Sequence, residues 1–277
     1  MTYELMKPNP IKQSGKTKGC FIFALTVSFV IASGFYFLTT GVREAKHIEQ
    51  SLIDRFGWAD DYVPPLDGSI DPLRVEAFIR VREALQADCA DYQAVLISIQ
   101  ALDKIDTGQE NSSSEVATTD VQGFKSILSA GPKMIKFSKT RNQALLDEGM
   151  GLGEYLYIYL TAYGEQLAGE STSDFSNTTE AYVSERARRE YAKILANQLL
   201  ALQEGAIQPG FPNLETELQA EIEALNDGSH TSPWPDGPVG KSRGSLAPYQ
   251  QQLADLYCPG VVKIELLQKN RGFDLEG

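Results

Sequence analysis

The sequence predicts a mostly α protein: an N-terminal transmembrane helix followed by an irregular multi-helix exported domain. Three observations carry this. Residues 19–42 hold no charged side chain and stand behind four lysines. Beyond them, apolar residues recur at spacings of three and four, the period of a helix packed on one face. Alternating runs that could pair as two strands are missing. The mean hydropathy of -0.24 is that of a soluble chain, so the apolar block shows only when the sequence is read locally.

As a helix, Gly19 to Val42 would extend roughly 36 Å, enough to cross a hydrocarbon core of about 30 Å. Phe35, Tyr36 and Phe37 fall near its far end, where an aromatic belt would lie. Lys7, Lys12, Lys16 and Lys18 precede it with only Glu4 opposing, while Arg43, Glu44, Lys46 and Glu49 follow. That lysine excess orients residues 1–18 to the cytoplasm, residues 19–42 as a single-pass anchor, and the C-terminal domain outward, into a bacterial periplasm. A cleaved signal peptide is the alternative, since Ala32-Ser33-Gly34 offers small residues, although apolar Phe35 to Leu38 continue past it. Cys20 precedes the apolar run and does not fit a lipoprotein signal.

The first 42 residues carry +3, so the remainder carries -15. An acidic exported region opposes nucleic-acid binding, which needs clustered cations. Cys89 and Cys258 are the only cysteines beyond the anchor, and an oxidising compartment would permit a disulfide between them; two buried thiols are the alternative.

Val42, Ala45, Ile48, Leu52 and Phe56 continue a helix outward from the anchor, and Trp58 to Ile70, rich in Asp, Pro and Gly, reads as a linker. Residues 43–70 are therefore expected as a membrane-proximal helix and linker, and residues 71–277 as one helical domain. Asp71 and Pro72 supply a cap and a first helical position for the stripe Val75, Phe78, Val81 and Leu85, with Glu76 and Arg80 as an exposed pair. A second stripe runs Tyr92, Leu96, Ile99 and Leu102, and polar Thr107 to Asp120 reads as a loop.

Val121, Phe124 and Leu128 begin a helix that Gly131-Pro132 should interrupt, to resume over Arg141 to Glu148. Gly149, Gly151 and Gly153 mark a break before Leu156, Tyr159, Tyr163 and Leu167. After the polar stretch Glu170 to Thr179, the stripe Val183, Ala187, Tyr191, Leu195, Leu199 and Leu202 stops at Gly205. Asn213 caps a helix carrying Leu214, Leu218, Ile222 and Leu225. Asp227 to Gly244 reads as a loop, Leu246 to Tyr257 as a short helix, and Val262 to Leu266 as a lone strand or irregular tail.

Gly240-Lys241-Ser242-Arg243-Gly244 fits G-x-S-x-G, but a hydrolase elbow needs an apolar strand before the serine and a histidine after it. Pro233, Pro235 and Pro238 precede, and both His47 and His230 lie upstream. A phosphate loop fails because Pro235 occupies its first glycine position, and a calcium loop around Asp67-Gly68 fails at Val63, Pro65 and Arg74. Two distant histidines give no zinc spacing, so neither a metal nor a cofactor is expected. The remaining candidate is Glu154 with Tyr155 and Tyr159, a carboxylate among aromatics that could grip a cation or act as an acid; packed tyrosines on a core helix are the plainer reading.

Pro64-Pro65-Leu66-Asp67-Gly68 leading to Val75-Glu76-Ala77-Phe78, then Ala144 to Tyr155, then Ser245-Leu246-Ala247-Pro248-Tyr249, together resemble uncharacterised membrane-anchored bacterial envelope proteins with a helical exported domain. The resemblance implies an envelope location and a helical fold and transfers no functional residue. The anchored helical layout also resembles that of lipase foldases. The expected function is an envelope binding or scaffolding module with an envelope protein partner; an envelope enzyme and a secretion chaperone are the alternatives.

Overall fold

A computed structural model describes residues 41–66, 68–90, 92, 116–169, 178–205, 213–227, 238–259 and 265. The chain divides into two units, Met1–Val42 and Arg43–Gly277. Of the first, only residues 41 and 42 are described, and they are helical. The expected membrane span otherwise lies outside the described residues, among which no helix is long and apolar enough to cross a membrane.

The second unit is helical throughout its described regular structure. Helix α1 covers residues 41–56 and buries Ala45, Ile48 and Leu52 at the predicted three- and four-residue steps. It stops at Gly57, whose φ of 80° needs a residue without a Cβ. A 3-10 turn, Ala59–Asp61, opens the Pro-rich segment. Far from being a loose linker, this segment buries Leu66 and Ile70. Its backbone is held from two later helices. Gln198 donates to Pro65 O at 2.9 Å, Asn197 to the carbonyls of Asp60 and Tyr62, Ser242 Oγ to Gly68 O at 2.5 Å, and Ile70 N donates to Ser245 Oγ at 3.0 Å.

Helix α2, Pro72–Gln86, begins as expected, with Asp71 Oδ1 accepting from Leu73 N at 2.8 Å. Helix α3, Val116–Asp147, departs from expectation twice. It starts inside the stretch read as a loop, and it runs through Pro132 without a break. A proline inside a helix costs about 3 kcal/mol, but the turns that follow are fixed by burial of Phe137, Arg141, Asn142 and Leu145, and Pro132 itself is exposed. Gly149, at φ 62°, ends the segment.

Helix α4, Leu152–Gly169, is the centre of the fold: it packs against α2, α3, the 3-10 turn and the helices that follow. Tyr155, Tyr157, Ile158, Tyr159, Leu160, Tyr163 and Leu167 are buried around its whole circumference. It begins before Gly153, which is a contact point and not a break. A Cβ there would lie 2.6 Å from Ala59 O, so only glycine lets the 3-10 turn approach α4 this closely.

Helices α5, Thr178–Gln203, and α6, Leu214–Asp227, form the most extensive helix pair. Helix α7, Pro238–Leu246, occupies the end of the stretch read as a loop, and proline at its first position is compatible with helix because the missing N–H has no intrahelical partner there. A 3-10 turn, Ala247–Tyr249, links it to the short α8, Gln250–Asp255. The stripe expected over 92–102 lies outside the described residues except Tyr92, and that over 262–266 except Glu265, which is helical and 2% exposed.

Cys89 and Cys258 form a disulfide with Cα atoms 6.0 Å apart. Around it Leu85, Tyr92 and Phe137 make a small second core.

Candidate functional site

The residues singled out in the sequence separate into two places. Glu154, in the first turn of α4, points to the rim, where both carboxylate oxygens are taken by one guanidinium. Arg74 Nε donates to Oε1 at 2.6 Å and Nη2 to Oε2 at 2.5 Å. The same Nη2 reaches Gly149 O at 3.1 Å, so the pair ties the start of α2 to the start of α4. The bond to Glu154 raises the pKa of Arg74, and burial, reinforced by the nearby Glu154, pushes Tyr62 well up. The expected Glu76–Arg80 pair gives way to Arg80 Nε donating to Glu148 at 2.7 Å, which adds a second link between the same regions.

Tyr155 and Tyr159 face the interior, away from Glu154. There they join a charge pair that the sequence did not announce. Arg82 and Glu265 are 1% and 2% exposed, with Nη1 donating to Oε1 at 2.9 Å. Tyr155 Oη accepts from Arg82 Nη1 at 3.0 Å and donates to the same Glu265 oxygen, while Arg82 Nη2 donates to Leu256 O at 3.2 Å. The guanidinium stacks over the rings of Tyr159 and Tyr163, at 5.2 and 5.5 Å. Burial works against the Arg82 charge, but Tyr155, Glu265 and the two stacked tyrosines overcome it and hold its pKa well above the usual value. Arg141, also buried, donates Nε to Asn142 Oδ1 at 3.1 Å; burial lowers its pKa, opposed by the fields of Glu265, Tyr155 and Glu49. This cluster ties Leu256 and Glu265 to α2 and α4, and its members are buried.

Among the described residues, a cleft of about 440 Å³ opens on the far half of α4. Thr161, Ala162 and Gln166 form one wall, Arg243 and Leu246 of α7 a second, and Gln250, Gln251, Leu253 and Ala254 the third. Tyr163 fixes its shape, donating its hydroxyl to Leu253 O at 3.0 Å while its ring packs 5.2 Å from Tyr257. Burial pushes the Tyr163 pKa up to about 12, so the hydroxyl remains a donor. Ser242, the serine of the G-x-S-x-G match, is fully buried beside the cleft, donating to Gly68 O and sharing a 2.6 Å hydrogen bond with Tyr157 Oη. It is a helix-packing residue and not a nucleophile. On α6, burial raises the carboxyl of Glu221 to about 7.

Among the described residues no group of three or more His, Cys, Asp or Glu can hold a metal. Comparison with family models, curated proteins and solved structures found no match to this chain. Sequence reasoning missed Arg82, Arg141, Glu221 and the cleft's Gln166 and Arg243. Three of these carried a signal: Arg82 lies four residues after Phe78, Arg141 four after Phe137, and Glu221 three after Leu218, each a charge within an apolar stripe.

Proposed function

We propose that the chain is a single-pass, membrane-anchored envelope protein, oriented with residues 1–18 in the cytoplasm, whose exported helical domain binds or scaffolds another envelope component. The cleft on α4 carries this reading. It has the volume of a ligand site, within the usual range of roughly 300–1,000 Å³, and is lined by hydrogen-bonding side chains. Among the described residues of that lining no nucleophile stands beside a base, which favours binding over chemistry. The disulfide supports export, because such bonds persist in oxidising compartments. An enzyme built on Glu154 is the weaker reading, since both its oxygens are already engaged by Arg74.

The test is chemical crosslinking in intact envelopes with the full chain, compared with a variant carrying Q166L and R243Q. A discrete crosslinked partner, diminished in the variant, is expected. No crosslinked partner, or one captured equally by the variant, refutes the reading. Protease added from outside the inner membrane should digest residues 43–277; protection would refute the orientation.

A further inference from the structure

Independently of the cleft, we propose that the face made by the 3-10 turn and the end of α5 docks a basic, apolar segment of a partner protein. Among the described side chains four large apolar groups are exposed, and three of them meet here: Trp58 at 49%, Val63 at 37% and Leu200 at 54%. Scattered singly such residues are ordinary, but grouped they mark an interaction surface. The grouping follows from the backbone. Asp61 N donates to Trp58 O at 3.1 Å and closes the turn, so Trp58 and Val63 flank it. Asn197 of α5 donates to the carbonyls of Asp60 and Tyr62, and Leu200 lies one turn further along the same helix face. The turn is held firmly from beneath, since Ala59 lies against Gly153 of α4 and Gln198 donates to Pro65 O at 2.9 Å. A surface fixed in this way loses little freedom when a partner docks. Tryptophan is among the side chains enriched at the anchors of such contacts.

The charges around these groups select the partner. Asp60 and Asp61 on the turn, and Glu204 just past α5, are exposed, and among the described residues nothing pairs with their carboxylates. Lys193, the nearest cation along α5, lies two turns before Leu200 and is paired with Glu190 at 3.6 Å. A partner segment that alternates Lys or Arg with aliphatic residues meets both demands: its cations face the three carboxylates while its apolar groups cover Trp58, Val63 and Leu200. A second copy of this chain fits less well, because symmetric docking of this face brings like carboxylates together. A bilayer with anionic headgroups meets the same repulsion.

The test follows the fluorescence of Trp58 in full-length W234F, where it is the only tryptophan, in nonionic detergent micelles. The probe is the peptide acetyl-KLKLK-amide, compared with acetyl-ELELE-amide and acetyl-KSKSK-amide. The lysine-leucine peptide should shift the emission saturably to the blue and bind roughly tenfold or more tighter than either control, since one reverses the charge and the other removes the apolar groups. In D60N/D61N the preference for lysine over glutamate should shrink by about fivefold, and L200S should weaken the lysine-leucine peptide while leaving the lysine-serine peptide unchanged. The comparison of three peptides on one protein needs no surface variant to fold. No saturation up to about 5 mM peptide, or equal binding of the charge-reversed peptide, overturns the proposal. A blue shift that grows with protein concentration without peptide assigns the face to a second copy, and one that appears on transfer from micelles to phosphatidylglycerol vesicles assigns it to the bilayer; either overturns the proposal. The face shares no residue with the cleft, so these outcomes leave capture through the cleft to be judged by its own crosslinking test.

Discussion

Replacing Glu265 tests whether the buried charge pair organises the fold. In Glu265→Ala, Arg82 stays 1% exposed but loses its carboxylate, keeping only Tyr155 Oη and Leu256 O as acceptors. Removing one partner of a buried pair costs about 3–5 kcal/mol, because the remaining charge cannot be rehydrated without opening the core. For a unit of this size that lowers the melting temperature by roughly 6–20 °C. Glu265→Gln keeps an acceptor for Arg82 and should cost less than the alanine. Arg82→Met with Glu265→Leu removes both charges, so the double variant should recover much of the loss, giving a coupling of about 2 kcal/mol or more. The measurement is thermal unfolding of the full chain in micelles, followed by circular dichroism. An alanine variant within about 1 kcal/mol of the parent, or additive single and double variants, would refute a buried and mutually dependent pair.

Gly153→Ala should destabilise by about 1–2 kcal/mol, because overpacking against Ala59 O outweighs the roughly 1 kcal/mol that alanine gains in a helix. Gly244→Ala, in α7 with nothing within 4 Å of the new Cβ, should instead stabilise by about 0.5–1 kcal/mol; urea unfolding of both variants checks the opposite signs. Replacing Cys89 and Cys258 by alanine opens a loop of 169 residues and should cost about 2–5 kcal/mol, read as the difference from the oxidised parent in guanidinium unfolding. Glu221 gives a pH dependence: its carboxyl titrates near 7 in the folded chain against a usual 4.5, so folding takes up a proton between those values. Its stabilisation is full below about pH 4.5 and is lost as pH rises through about 7. Glu221→Gln should therefore match the parent at pH 4 and exceed it at pH 8 by roughly 2 kcal/mol, allowing for solvent screening. Identical pH profiles for the two proteins would show that Glu221 does not titrate there.

Helices whose burial follows a single stripe were legible in the sequence. α1, α2, α5 and α6 bury or partly bury the described residues that a three- and four-residue period selects, and their ends coincide with Asp71, Gly205 and Asn213. Where the reading failed, a local rule met a tertiary contact. Gly153 looked like a helix breaker because glycine lacks propensity, yet it is inside α4 because Ala59 leaves no room for a Cβ. Pro132 looked like an interruption, and α3 continues because the cost of one lost hydrogen bond is local while Phe137 and Leu145 are held by the core. Residues 238–244 looked like a loop because Gly, Ser and Pro favour turns, but Ser242 has a buried hydrogen-bond acceptor waiting at Gly68.

The same logic explains why the candidate site was half found. Glu154, Tyr155 and Tyr159 are close in sequence, and closeness suggested one cluster. On a helix, successive residues are turned by about 100°, so Glu154 meets Arg74 at the rim while Tyr155 meets Arg82 in the core. Arg82, Arg141 and Glu221 each occupied an apolar stripe, where a charge is stable only if something distant compensates it. That something was not local. For Arg82 it is Glu265, 183 residues away, in a segment whose alternation gave no reason to place a carboxylate inside. A charge on a stripe therefore announces that a partner exists without saying where, and the buried pair then fixes which surface the C-terminal helices leave open. Because Leu256 O is held by Arg82 and Leu253 O by Tyr163, α8 is anchored from two buried side chains, and its outer residues Gln250, Gln251 and Ala254 are left to line the cleft.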